Sequence, residues 1–200
     1  MPQQLTFDPE RHIYRLDGVI IPSVTQIMKP LSDAEYTDID PDILDKAAKR
    51  GTSVHEAVEM YETYGIEDSP PEYQPYFDAY LKWRRKYQPH VISTEGATFH
   101  KALLYAGTLD LVVEIGNELY LIDIKTTAVI NDMLTSVQLE AYSRALSTHG
   151  IYVDKKAILH LKKDGEYEFR IYKTPDIEAW DTFGALLKVR AHIAKYKEAS

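Results

Sequence analysis

The chain has no cysteine among its 200 residues. Disulfides, thiolate zinc sites and iron–sulfur clusters are thereby excluded, and any metal must use carboxylate, carbonyl or imidazole ligands. No apolar run is long enough to span a bilayer, and the opening residues MPQQLTFDPE lack the pattern of a secretory signal. These two absences predict a cytoplasmic protein with no membrane partner. Basic charge is also short: 23 Lys and Arg against 31 Asp and Glu leave a net charge of −8. That argues against a general nucleic-acid coating protein. It leaves room for a nucleic-acid enzyme whose contacts are local and whose site holds metal. Internal repeats and low-complexity segments are lacking too. What remains is 44% hydrophobic and 27% charged, ordinary for a globular chain of a length that suits one domain with a sizeable core.

The most informative stretch is YAGTLDLVVEIGNELYLIDIKTT, Tyr105 to Thr127. Two alternating β-rich runs flank Gly116-Asn117, the signature of a two-residue hairpin turn. The turn sets the register, placing Asp110 opposite Asp123 and Thr108 opposite Lys125. One face then carries Leu109, Leu111, Val113 and Ile115 against Tyr120, Ile122 and Ile124, an apolar surface that helices should cover. The other face is polar at its far end, where Asp110, Asp123 and Lys125 converge. Side-chain β-carbons in such a pair lie roughly 4.5–5.5 Å apart, and like charges there are destabilising. The two carboxylates need a cation between them, or one must take up a proton. Lys125 supplies one positive charge, and a divalent metal on oxygen ligands would supply more. A metal on two Asp residues beside a Lys suits phosphodiester hydrolysis: it eases deprotonation of water and stabilises the charge gathering on phosphorus.

Around this hairpin the chain reads as α/β or α+β, a central mixed sheet with helices on its faces. Asp17-Gly18 turns a small hairpin within residues 4–22. Ser23 caps a short helix, Val24 to Met28, which Pro30 should stop, and the acidic segment 31–40 reads as loop. Asp40-Pro41 starts a helix expected to end at Gly65. Its apolar stripe includes Gly51 and His55, with Glu59 at the edge. Gly51 would let the helix approach the sheet closely. His55 is then either a metal ligand or a packed core histidine, and spacing does not choose between them. An aromatic helix over about 72–88 ends in Lys82, Arg84, Arg85 and Lys86. These are either cations at a helix C-terminus or a phosphate-contacting patch. Val91 to His100 is a strand whose Glu95 reaches the carboxylates if it points to their face; His100 is given a surface place. Thr135 to Thr148 is a helix with Gln138 and Tyr142 on one face. Ala157 to Leu161 and Glu166 to Tyr172 form a hairpin, and Thr174-Pro175 starts the last helix. The expected layout is one domain over 1–200: N-terminal hairpin and short helix in 1–30, core in 41–150, C-terminal hairpin and helix in 151–200.

The series LDL…LIDIKTT, followed by Gln-x-x-x-Tyr on a helix, resembles the PD-(D/E)XK nuclease superfamily. GTSVH upstream is similar to its RecB-like branch, and HIYRLDGVIIPSVTQIM is similar to phage and prophage exonucleases of that branch. The resemblance implies roles. Asp110, Asp123, His55 and the Ile124 carbonyl would hold Mg²⁺, with Mn²⁺ also accepted. Lys125, with the two Asp residues, would be catalytic. Gln138 and Tyr142 would touch the DNA strand, and Glu95, Thr108 and Glu59 would support. Without cysteine, the chain departs from the cluster-bearing relatives. The implied enzyme is a metal-dependent deoxyribonuclease acting on duplex DNA ends, of the kind that works with a single-strand annealing protein, and a homo-oligomer fits such an enzyme. The alternatives are an endonuclease of the same fold, a non-catalytic DNA-end-binding module, and a two-carboxylate glycosidase.

Overall fold

Five strands form the central sheet, in the order β4 (His90–Phe99), β5 (Ala106–Ile115), β6 (Glu118–Lys125), β7 (Lys155–Leu161) and β8 (Tyr167–Tyr172). The computed structural model describes residues 3–197. All neighbouring strands are antiparallel except β6 and β7, which are parallel and joined through helix α4 (Asp132–Ser147). Parallel strands need such a crossover because both start at the same end of the sheet. The result is the mixed sheet with flanking helices that the alternating pattern predicts. No helix among the described residues is long and apolar enough to cross a membrane.

The β5–β6 hairpin turns at Gly116, whose φ of +66° is open to glycine at little cost. Its register runs from Ile115 opposite Glu118 to Leu111 opposite Ile122, as the turn chemistry requires. The ladder then stops. Past Leu111 the strands part, and the Ile124 amide donates 2.6 Å to the Asp110 carboxylate. Strict alternation fails at the same point: Leu109 packs with Val112 and Leu121 instead of with Leu111.

Each sheet face is covered. Leu111, Val113, Ile122 and Ile124 pack under Val54 and Val58 of α2 (Pro41–Tyr64) and the aromatic stripe of α3 (Gln74–Tyr87). Phe77, Tyr80 and Trp83 of that stripe are fully buried, each removing roughly 150–250 Å² from water. The opposite face lies under α1 (Val24–Tyr36), α4 and α5 (Ile177–Lys197). A buried ionic cluster locks three elements on that side. Glu140 of α4 accepts from Lys156 of β7, from Arg144 at 2.7 Å and from the Asp176 amide ahead of α5 at 3.1 Å.

Helix α2 starts and stops as its sequence dictates. Asp40 accepts from the Asp42 amide, Pro41 holds the first turn, and Gly65 closes the end at φ +70°. Helix α1 departs from expectation, because it continues through Pro30 to Tyr36. Pro30 costs one backbone bond, but a Ser23–Gln26 capping box starts the helix, a Lys29–Asp33 pair at 2.8 Å spans the break, and Leu31 packs against the core. Residues 31–36 are therefore helix, not loop. Helix α5 begins two residues after Pro175, with Asp176 accepting from the Ala179 amide. Its buried contacts are Ala179 and Phe183, while Ile177 is exposed. The N-terminal segment is a three-stranded meander of β1 (Leu5–Asp8), β2 (Ile13–Leu16) and β3 (Val19–Ile21). Tyr14 packs it onto Phe99 and Ala106, and its hydroxyl meets that of Thr108 at 2.7 Å.

Candidate metal centre and active site

Where β5 leaves β6, side chains from four elements meet. Asp110 comes from the splayed end of β5. Glu95 comes from β4, at the register position opposite Asp110 between the pairs Thr94–Leu111 and Gly96–Leu109. Its φ of +45° is uncommon for a residue with a β-carbon and breaks the ladder locally. His55 arrives from α2. Its Nδ1 lies 3.1 Å from Glu95 Oε1 and 3.5 Å from Asp110 Oδ1, and its Nε2 lies 3.1 Å from the Ile124 carbonyl oxygen. One ligand atom each from His55, Glu95 and Asp110 falls within 4.8 Å of the others, the spacing of donors able to close on one cation.

Asp123 and Lys125 sit beside this group on β6. Asp123 is 3% exposed, and Lys125 Nζ is 2.8 Å from its Oδ2. That ion pair is not aligned as a hydrogen bond, so the buried Oδ2 has a nearby charge but no directed donor. Asp123 and the neighbouring Asp110 and Glu95 carboxylates outnumber the nearby cations, which fits a site completed by a further cation. The donor set of carboxylates, one carbonyl and one imidazole suits Mg²⁺ or Mn²⁺ chemistry.

The electrostatics agree with a crowded anionic site. Burial pushes the Asp110 carboxyl up to about 7, with Asp123 and Glu95 adding to the rise. Burial alone would lower the His55 imidazole. The Asp110 and Glu95 carboxylates outweigh it and hold the group at about 9. Burial likewise opposes the charge on Lys125, and Asp123 with Asp110 overcomes it, raising its pKa. Without a metal the imidazolium and the ammonium supply the positive charge. A metal ligand must be neutral imidazole, so loading a cation would release the His55 proton.

Gln138 and Tyr142 extend the site along α4. Gln138 Oε1 accepts from Lys125 Nζ at 3.2 Å, and its amide reaches the Tyr142 hydroxyl at 3.5 Å. Tyr142 departs from expectation: it is 6% exposed and belongs to the core. It fits because Gly107 has no β-carbon, which would come within 2.4 Å of the tyrosine ring.

The other sequence-selected residues divide. Glu95 is drawn fully into the group. Glu59 is half-buried near it, its pKa raised by burial and then by Glu95. Thr108 faces Tyr14, and the ladder no longer pairs it with Lys125. Gly51 is not needed for close approach, since a β-carbon there would meet only Thr126 Oγ1 at 3.9 Å. His55 reaches the sheet because of where α2 lies. On α3 two of the four basic residues are committed to carboxylates: Arg84 binds Glu62 at 2.8 Å and Lys82 binds Glu166 at 2.6 Å. His100 is half-buried, stacked on Trp180.

Comparison with known proteins matches the sequence to a family. The model of the PD-(D/E)XK nuclease superfamily matches residues 73–197, a segment that contains Glu95, Asp110, Asp123, Lys125, Gln138 and Tyr142. The chain belongs to that superfamily. His55 lies upstream of the matched segment, so its place at the site is a finding of the fold. Among solved structures, an alkaline exonuclease (LHK-Exo) from Laribacter hongkongensis is similar at 14% identity and a TM-score of 0.44, over 76% of this chain and 92% of that one. The structure of LHK-Exo in complex with dAMP is similar at 14% identity and a TM-score of 0.44, over 90% and 93%. No curated protein matches the chain by sequence.

Proposed function

We propose that this protein is a metal-dependent deoxyribonuclease that hydrolyses phosphodiester bonds from the ends of duplex DNA. The observation that carries the reading is the convergence of His55, Glu95 and Asp110 at the parted end of the hairpin, next to a buried Asp123 carboxylate whose counter-charge is the Lys125 ammonium. His55, Asp110, Asp123 and the Ile124 carbonyl would hold the ion, with Glu95 joining them. A divalent cation there supplies the positive charge that eases deprotonation of water and polarises a phosphoryl oxygen. Lys125, held between Asp123 and Gln138, places its ammonium against the scissile phosphate and stabilises the charge that builds on it. A water oxygen forms the new bond to phosphorus, the bond to a sugar oxygen breaks, and the leaving oxygen takes a proton. Gln138 orients Lys125, and Tyr142 orients Gln138. Mg²⁺ suits the oxygen-rich ligation, and the imidazole extends tolerance to Mn²⁺. The working context is cytoplasmic DNA recombination of the phage or prophage kind, with a single-strand annealing protein as partner and a homo-oligomer as the acting form.

The test is digestion of linear duplex labelled at either end, alongside closed circular DNA, with Mg²⁺, with Mn²⁺ and with chelator. The expected outcome is metal-dependent loss of linear DNA alone, reduced about 10²–10³-fold in Lys125→Ala. Cutting of the circle would replace the exonuclease with an endonuclease. Tight DNA binding with no cutting under any metal would replace both with a non-catalytic binding module.

A further inference from the structure

Immediately beyond Lys125 the chain borders a second cavity, of about 490 Å³, between α2 and the β7–β8 turn. Arg50, Lys162 and Lys163 line it, together with Thr126 and Thr127. None of these residues belongs to the metal centre. Arg50 Nε donates to Thr126 Oγ1 at 3.3 Å, and its guanidinium lies over the Tyr76 ring, 5.5 Å from the centroid. Those contacts fix the direction of the guanidinium without neutralising it. Among the described residues, no carboxylate lies within ion-pair distance of Arg50 or Lys163, and Lys162 has only Glu168 at 3.9 Å. Asp164 also borders the cavity, but one of its oxygens accepts from the Glu166 amide inside the turn. His160 Nε2, on the same side, is engaged with the Thr127 carbonyl at 2.7 Å, which holds the strand end that forms the cavity wall.

Three cations without strong partners and one carboxylate, Asp164, border this concavity of a chain with net charge −8, a local excess of positive charge that favours an anion. A guanidinium fork and two ammonium groups suit phosphate oxygens. The spacing is also informative. Thr127, on the cavity wall, is two residues from Lys125, at most about 7 Å along the chain, so one strand can meet both. We infer that this cavity is a second phosphate subsite, which takes a phosphate of the substrate strand close to the one at Lys125. The inference rests on the nuclease reading above. Its chemistry is met equally by an internal phosphodiester and by a terminal phosphate of the strand.

Lys162→Gln and Lys163→Gln lie on a surface turn and leave the core untouched. Arg50→Gln is the third variant, with its melting temperature measured as a check on folding. Lys155→Gln, at the far end of the sheet, is the control. Binding of a linear duplex is measured in chelator across a series of salt concentrations, and cleavage is measured separately with Mg²⁺. The expected result is a salt slope smaller by about 0.7–0.9 for each cavity cation removed. Affinity should fall by about tenfold or more, the cleavage defect should appear in KM more than in kcat, and the control should match wild type. Equal losses on duplexes with 5′-phosphate, 3′-phosphate and hydroxyl ends would assign an internal phosphate. Loss confined to one phosphorylated end would assign a terminal one. Wild-type slope and KM in all three variants, with wild-type cleavage intact, would overturn the subsite and leave the nuclease reading standing. Failure of the wild-type protein both to bind and to cut DNA would overturn the two together.

Discussion

Two buried clusters of charge in this molecule are built to opposite specifications. At Glu140 one carboxylate meets Lys156, Arg144 and a backbone amide, so both of its oxygens have donors. Glu140 and Lys156 are 1% and 0% exposed, and only the Arg144 side of the cluster reaches solvent. At the hairpin's parted end three carboxylates, Asp110, Asp123 and Glu95, share one lysine and one histidine, and a buried Asp123 oxygen has no aligned donor. The first cluster is complete in itself and fastens α4, β7 and α5. The second has more negative charge than its own residues answer, and it stands beside open cavities. A closed network serves the fold, whereas a deficient one is set up for a ligand.

The comparison can be broken most decisively at Lys156. Lys156→Met leaves Glu140 buried with its strongest partner gone, and the expected cost is about 3–5 kcal/mol in urea unfolding. A cost below about 1 kcal/mol would mean that the closed cluster is not holding the fold. The opposite sign is expected at the other cluster. Asp110→Asn keeps an acceptor for the Ile124 amide and removes one of the crowded charges. It should raise the stability of the metal-free protein by about 1 kcal/mol while abolishing DNA cleavage. Destabilisation there would show the metal-free site to be as well balanced as the one around Glu140.

The smallest effect is expected at the rim of the closed cluster. His100 stacks on Trp180, which also carries the Arg144 guanidinium at 5.3 Å. Its Nδ1 accepts from the Ala102 and Leu103 amides. Burial lowers its pKa below the ordinary 6.5, with His149 and Arg144 adding to the effect and its own backbone opposing it. The unfolded chain therefore binds a proton there more readily than the folded one. The His100 contribution to stability is full above about pH 6.5 and declines as pH falls from there towards the lower folded-state value. A melting-temperature series from pH 8 to 5 should lose this component in His100→Asn. A His100 resonance titrating above 6.5 would reverse the sign.

Much of this was legible before the fold was known, because it depended on local chemistry. Gly116-Asn117 fixed the turn and with it the pairing of Leu111 with Ile122; Asp40-Pro41 and Gly65 bounded α2. What stayed hidden depended on distant contacts. The helix beyond Pro30 is held by packing that propensity does not see. Glu95 turns to His55 through a left-handed backbone, which alternation along β4 cannot reveal. Tyr142 looks like a surface partner of Gln138 until Gly107, far off in sequence, makes room for its ring. Lys156 sits in an apolar run with nothing nearby in the chain to announce Glu140.

The hairpin that carries Asp110 also separates that residue from its own turn. Gly116 and Asn117 are exposed, six strand residues and so roughly 20 Å from Asp110. With no native cysteine to compete, Asn117→Cys would give the protein a single thiol at that tip. A dye or surface tether attached there would report the position of individual molecules on stretched DNA from the end of the sheet that bears none of the site's residues.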